Sequence, residues 1–498
     1  MEQEKNNISE AEKASQKKHW IPEEIKNVAR PKGTSIKRSG NHFYVVRRTS
    51  KQVIGKDGKK RIVPVEIGRL GKIENGKYIA MSEVKKHGTR AFAEEGGMTY
   101  ENAEVKNSAM VELAHKFGGE VLEDLKKSYS PGDARLMYGI ALLRAAYGNV
   151  TDRDLKFRYL TSMASEMEEL KGIDLSEKSI CDILEQIGLH PNMQDMFFRA
   201  RIDKLVPGAR LAIDGMLKDC NLTTSIFCQW SRKARKKGTK DISILYAFDI
   251  SSGLPVAMMV FKGNELDQSS YDSFVEKFKD RKDVIVIADK GFDRSRGKSK
   301  TSYIIPLKRS SRLAAEAIKS IDGKLGMKDR EVLCGKVKIG DRFYYAFRDL
   351  DTESKERTSF FQSKGFTMEK FNSRSGSFGT IVFESDLDLD PLAVYRCYED
   401  RWTIETFFNF YKDILERSKV NVQDDGSVSG SEFINFLASL IGIQIKKLFI
   451  EKGLDEKYSY RQIRSYLLQV SKIKDTDGKW VQTRQLKYVQ DILNQLSL

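Results

Sequence analysis

One short stretch constrains this chain more than any other: Tyr398-Glu399-Asp400-Arg401-Trp402-Thr403-Ile404-Glu405-Thr406-Phe407-Phe408-Asn409-Phe410-Tyr411-Lys412. It spells Y-x2-R-x3-E-x6-K. At about 100° per residue, Tyr398, Arg401, Glu405 and Lys412 fall within an arc of roughly 60°. Ile404, Phe407, Tyr411 and Ile414 recur at helical spacing on the opposite side. The pattern predicts one helix, packed along its apolar side and carrying four polar groups of different chemistry along the other.

Each member of that stripe suits work on a phosphodiester. Glu405 is a hard oxygen ligand for a divalent ion. Arg401 can fork onto phosphate oxygens, Lys412 offers a point charge, and the Tyr398 hydroxyl can bond phosphate without reading bases. Taken alone, the commoner meaning of such spacing is a solvated face laced with weak ion pairs. The rest of the chain must supply further carboxylates before the chemical reading gains.

Two segments supply them. Leu211-Ala212-Ile213-Asp214 is a short apolar run ending in an acid, and Asp283-Val284-Ile285-Val286-Ile287-Ala288-Asp289 is a β-branched run of the kind buried at a sheet centre, again closing on Asp. Acids at strand ends are where α/β sheets place their chemistry. Between them, Ser243–Asp249 and Leu254–Phe261 read as an antiparallel pair joined by Ser251-Ser252-Gly253, and Tyr271–Phe278 reads as a helix. Asp249, Asp267 or Asp293, each taken alone, is a turn former or cap.

Asp214, Asp289 and Glu405, the last inside a Tyr-Arg-Glu-Lys signature, resemble the DDE transposases of bacterial insertion sequences, in the group defined by that signature. Glu384-Ser385 and the run Asp386–Tyr398 are similar to the segment that group places before its signature helix. The resemblance covers residues 205–450 well and the N-terminal part loosely. It implies an α/β multidomain protein: a ribonuclease-H-like mixed sheet flanked by helices, a β-rich insertion between the second and third acids, an N-terminal β-plus-helical DNA-binding region and a helical C-terminal region. Residue by residue it implies Asp214, Asp289 and Glu405 as catalytic, metal-binding acids, and Tyr398, Arg401 and Lys412 as phosphate contacts. Lys290 stands where the family more often has Arg.

Charge explains why three acids need cations. Crowded carboxylates repel, and one tends to take a proton unless divalent ions sit among them. Two Mg²⁺ ions would stabilise the cluster and serve an in-line displacement; Mn²⁺ suits the same oxygen donors. The activity implied is cut-and-paste transposition: water releases the 3′ end of the element, and that 3′ hydroxyl attacks target DNA. The implied partners are double-stranded DNA, as terminal inverted repeats and target, and a second copy of the chain in a homodimeric synaptic complex. Two rivals are a ribonuclease-H-like nuclease that cuts without joining and a non-catalytic or domesticated DNA-binding protein.

Composition agrees with a DNA partner: 86 Lys and Arg against 70 Asp and Glu give a net charge of +16. The cluster Arg232-Lys233-Ala234-Arg235-Lys236-Lys237-Gly238 reads as a loop that tracks the phosphate backbone or as a solvated loop. Cys181, Cys220, Cys228, Cys334 and Cys397 form no C-x2-C pair, which argues against zinc fingers and disulfide frameworks and for free thiols in a reducing, bacterial cytoplasm. Met1–Lys18 lacks the apolar core of a signal peptide. Phe433–Ile445, interrupted by Asn435, Ser439 and Gln444, suits a buried helix better than a membrane span. A G-x4-G-K-[ST] phosphate loop is absent from the sequence, which argues against an ATP-driven step.

Along the chain, residues 1–35 read as a flexible polar tail and 36–100 as a β-rich region whose strands His42–Val53 and Arg61–Leu70 flank a Gly55-Lys56-Asp57-Gly58 turn. Residues 101–205 read as helical, Ala134–Tyr147 most clearly with Gly148-Asn149 as its stop, and take the DNA-end-binding role. Residues 206–309 and 380–425 form the two parts of the core. Residues 310–379 form the insertion, with a helix at Ser310–Ser320 and strands at Glu331–Val337 and Arg342–Phe347. Residues 426–498 form a helical C-terminal region with dimer contacts, in which a Ser/Gly loop through Gly430 precedes a helix over Phe433–Glu451.

Overall fold

A run such as Val284-Ile285-Val286-Ile287-Ala288 has no polar side, so it must be covered on both faces, and it does lie in the middle of a sheet. The computed structural model describes residues 20–54, 60–81, 104–265, 268–289, 301–414, 419–420, 422 and 424–498. The chain divides into two units, residues 1–100 and 101–498.

In the first unit, β1 (Thr34–Ser39), β2 (His42–Ile54), β3 (Lys60–Glu74) and β4 (Lys77–Ala80) form an antiparallel sheet in sequential order. β2 and β3 pair from Phe43↔Ile73 to Ile54↔Lys60, the hairpin expected from the sequence. Its Asp-Gly turn lies outside the described residues. Val28, Val45 and Ile73 close a small core. β1 and a helical turn at Glu23–Lys26 bring order into the segment read as a tail, of which residues 1–19 lie outside the described residues.

The second unit begins with β5 (Val105–Asn107) and a helical layer: α1 (Ala109–Lys126), α2 (Pro131–Tyr147), α3 (Glu177–Leu189) and α4 (Pro191–Asp203). α2 is the helix the sequence marks most clearly; Ser130 caps its start, and Gly148, at φ 73°, ends it. Beyond these come β6 (Arg210–Asp219), β7 (Asp241–Asp249), β8 (Leu254–Lys262), α5 (Gln268–Val275), β9 (Ile285–Ala288) and β10 (Ser302–Pro306). β6, β7 and β8 form an antiparallel meander, while β9 lies parallel to both β6 and β10. Asp249 is the turn former expected, accepting from the Ser251 and Ser252 amides.

Residues 310–379, expected to form an insertion, hold α6 (Arg312–Ile318), β11 (Ile321–Lys324), β12 (Val332–Ile339), β13 (Arg342–Asp349), α7 (Leu350–Phe361) and α8 (Met368–Arg374). With β14 (Thr380–Ser385) their strands continue the core sheet, whose full order is β11-β12-β13-β14-β10-β9-β6-β7-β8. α7 and α8 were not expected. Neither fully buries a residue, so neither carries an apolar stripe legible in sequence.

After α9 (Pro391–Asp400) and α10 (Trp402–Asn409), α11 (Asp425–Glu451) runs through the helical layer. It is long and apolar enough to cross a membrane, yet it is mostly buried inside this unit. It begins eight residues before Phe433, capped by the Asp424 carboxylate, so the expected Ser/Gly loop is helix instead. Its glycines serve packing: a Cβ on Gly430 would lie 2.0 Å from the Leu184 carbonyl oxygen on α3. α12 (Tyr460–Gln469), β15 (Ser471–Lys474), β16 (Trp480–Gln482) and α13 (Lys487–Leu496) complete the chain, and β15 pairs with β5.

Candidate active site

The register of two parallel strands sets the first two acids side by side. Ile213 of β6 lies opposite Ala288 of β9, so the next residues along, Asp214 and Asp289, stand level. Asp289 ends its strand as expected. Asp214 does not, because β7 goes on pairing with β6 as far as Asp219↔Asp241. The acid is therefore in mid-strand, at the height where its parallel neighbour stops.

The third acid comes down from above. Ile404 and Phe407 are buried under α10. The rings of Phe407 and Tyr411 lie 5.1 and 6.1 Å from that of Tyr246, the β7 residue opposite Asp214. This aromatic seat holds Glu405 over the sheet at the level of the other two acids. The expected apolar side is thus present for Ile404, Phe407 and Tyr411; the Ile414 side chain lies outside the described residues.

The signature is not one regular helix. α9 ends at Asp400, α10 starts at Trp402, and Phe410–Ile414 form a wider π turn. Around Arg401 the backbone tightens, with Arg401 N–H donating to Tyr398 C=O at 3.2 Å and Ile404 N–H to Arg401 C=O at 3.1 Å. A phase of 100° per residue therefore fails on both sides of α10. Tyr398, Arg401 and Glu405 nonetheless meet on one side, as the spacing predicts, while Lys412 stands on the π turn. Such π turns favour functional sites.

Arg401 is the pivot. Its Nη1 lies 3.3 Å from Asp214 Oδ2, and its Nη2 lies 3.7 Å from Asp289 Oδ1 and 4.0 Å from Glu405 Oε1. The Arg401 side chain is 7% exposed, while those of Asp214, Asp289 and Glu405 are 22%, 44% and 39% exposed. Burial pushes the Asp214 carboxyl above the ordinary aspartate range; the Gly215 amide and Arg401 pull it down, and Asp289 and Glu405 push it up again. Tyr398 flanks the cluster with its ring 5.3 Å from Arg401 Cζ and 4.6 Å from the Phe383 ring. Burial raises the Tyr398 hydroxyl, which Arg401 partly offsets.

Three carboxylates facing one guanidinium are a donor set of the right chemistry for a hard divalent ion. Among the described residues they are not spaced as a ready metal cluster. The Arg401 guanidinium stands between them as a cation in its own right, and its Nε has no hydrogen-bond partner. The acids fit a divalent ion; the position of the arginine shows where positive charge is wanted.

Sequence reasoning missed a buried pair beneath the site. Lys218, on β6 four residues past Asp214, places Nζ 2.5 Å from Glu432 Oε1 of α11, with the side chains 2% and 1% exposed. Tyr411, read as a plain apolar residue, donates its hydroxyl to Glu432 Oε2 at 2.6 Å. The available signal was a lysine at i+4 from Asp214, on the same face of the strand. The basic cluster also differs from expectation: Arg232–Lys237 is a short helix, not a loop, and Lys237 pairs with Asp219 and Asp241. Asp219 lies five residues beyond Asp214, about 16 Å along the strand.

Residues 211–440 match the family model described as the transposase DDE domain, which supports a transposase of the DDE type. The match spans both strands and the helix that carry the three acids. No curated protein matches the chain. Among solved structures, the piggyBac transposase synaptic complex with hairpin DNA, determined by cryo-EM, is similar over 77% of this chain and 82% of that one, with 13% identity and a TM-score of 0.37. A TM-score that low carries no argument.

Proposed function

We propose that the chain is the transposase of an insertion sequence, which binds terminal inverted repeats, hydrolyses the phosphodiester at the element ends and joins the freed 3′ hydroxyl to target DNA. One observation carries this reading: Asp214, Asp289 and Glu405, far apart in sequence, converge on the single guanidinium of Arg401 within the segment matched by the transposase DDE domain. The order β8-β7-β6-β9-β10, a meander followed by two strands parallel to its first, supports a ribonuclease-H-like core. In this reading residues 1–205 hold the DNA end, 206–309 and 380–425 form the core, 310–379 brace the DNA, and 426–498 make dimer contacts.

The three carboxylates hold Mg²⁺ in this reading. When bound, divalent ions activate an attacking oxygen and neutralise charge at the leaving 3′ oxygen. The chain's own groups do the rest. Asp214 and Asp289 are fixed by strand register, so their separation does not depend on a loop. Glu405 is fixed by the aromatic seat on β7. Arg401 and Tyr398 lie beside the acids, where a phosphate of the bound strand would meet a forked donor and a hydroxyl. Lys412, on the π turn, adds a positive charge along that strand.

The test is a cleavage and joining assay with purified protein, Mg²⁺ and labelled DNA carrying the repeats that flank the gene, run beside Asp214→Asn and Glu405→Gln. The expected result is nicking at the repeat end and joining to a second duplex, both abolished by either substitution while DNA binding persists. Cleavage without joining would assign a nuclease. Binding with no metal-dependent cleavage by the unmodified protein would remove the catalytic role from all three acids.

A further inference from the structure

We infer that Arg401 is a built-in counter-cation of the acid cluster that a divalent ion must displace, so that ion binding releases the guanidinium toward DNA. The inference rests on the proposed function and adds to it a coupling between two ligands of one site.

The oxygens decide the matter. Asp214 Oδ1 is taken by the amide of Gly215 at 2.7 Å, which leaves Oδ2 as the oxygen turned into the cluster. That oxygen, Asp289 Oδ1 and Glu405 Oε1 are the ones facing the guanidinium. An ion held by the three acids would draw on the same oxygens, so ion and guanidinium compete for them. Competition follows from the geometry.

The bonding of Arg401 suits a displaceable partner. A guanidinium committed to one carboxylate forks onto it at about 2.7–2.9 Å. Here the nearest contact is 3.3 Å and the other two are longer, so the charge is shared among three acids and locked to none. Its Nε–H has no partner although the side chain is more than nine-tenths buried.

The consequence runs against the usual expectation for an active-site residue, because removing Arg401 should strengthen metal binding. By linkage, if a bound ion raises phosphate affinity by freeing Arg401, bound phosphate raises ion affinity by the same factor.

The experiment measures Mn²⁺ binding to the full chain without DNA, by the electron paramagnetic resonance signal of free Mn²⁺. The set is the unmodified protein, Arg401→Gln, Arg401→Lys and Asp214→Asn. Arg401→Gln should bind about tenfold tighter, the scale on which one neighbouring charge shifts a carboxylate's affinity for a proton. Arg401→Lys, which keeps the charge but cannot span three acids, should fall between. In protein labelled with ¹⁵N-arginine, added Mg²⁺ should shift one Nε resonance, and that resonance should be missing from Arg401→Lys. Equal or weaker binding by Arg401→Gln, with Asp214→Asn losing the ion, overturns the inference and leaves the metal site standing. Failure of the unmodified protein to bind Mn²⁺ at all, indistinguishable from Asp214→Asn, removes the functional reading beneath it and the inference with it.

Discussion

Glu432→Met attacks the pair that ties the strand of the first acid to the helical layer. Glu432 accepts from Lys218 Nζ, from the Tyr411 hydroxyl and from Asn435 Nδ2, and Asn435 in turn accepts from Arg144 at 2.9 Å. With both charged side chains almost fully enclosed, removing the carboxylate strands an ammonium away from water, which costs about 3–5 kcal/mol. Lys218→Met should cost less, about 1.5–3 kcal/mol, because Tyr411 and Asn435 still donate to the carboxylate. Lys218→Met with Glu432→Met leaves no buried charge of the pair. Its remaining penalty is that of the Tyr411 hydroxyl and the Asn435 amide, about 1–3 kcal/mol each, of which Tyr411→Phe removes the first. The double variant should therefore be more stable than Glu432→Met alone by about 2 kcal/mol or more. Urea unfolding followed by far-UV circular dichroism, at unchanged slope, reads this directly. A double variant whose loss equals the sum of the single losses would refute the reasoning, since it would mean that water already screens the pair.

Other consequences can be checked in the same way. Gly430→Ala places a methyl 2.0 Å from the Leu184 carbonyl oxygen, so α11 and α3 must separate; the expected loss is about 1–3 kcal/mol, seen as a lower urea midpoint. For Asp124, burial pushes the carboxyl up, but its bonds to Lys204 and Lys127 and the charge of Arg201 outweigh burial and hold it below the ordinary value of 3.8. A depressed carboxyl contributes stability that is present above 3.8 and lost as pH falls through the folded value. The stability gap between the unmodified protein and Asp124→Asn should thus be full at about pH 6 and shrink below about pH 4; a gap constant across that range would refute the assignment.

How far the sequence carried depends on which physical constraint each segment obeys. Segments whose burial is one-sided or complete were legible. The β-branched run ending at Asp289, the β7–β8 pair and α2 each declare a period and a stop, and each stands close to where the pattern puts it. Segments whose residues serve a neighbour rather than themselves were not. Gly426 and Gly430 look like loop residues, because glycine costs a helix about 1 kcal/mol. In α11 they are helical, since a Cβ at either would meet the backbone of α3. That requirement belongs to the pair of helices and has no trace in either one.

The site shows the same division more sharply. Asp289 was legible as a strand-end acid and Glu405 as a helix residue, while Asp214, expected at a strand end, lies in mid-strand; strand register then does what sequence cannot, setting Asp214 level with Asp289. The phase of the signature was legible from Tyr398 to Glu405 and not as far as Lys412, because the reading presumes an unbroken α-helix. The chain tightens at Arg401 and widens at Phe410, and each departure rotates the residues beyond it. Arg401 and Glu405 stay on one side, as their spacing predicts, and that side faces Asp214 and Asp289; Lys412 stands on the π turn. Three acids brought within reach of one another need a cation. The cation that meets all three is Arg401, which comes from the same signature as the third acid and reaches Asp214 and Asp289 across the strand register.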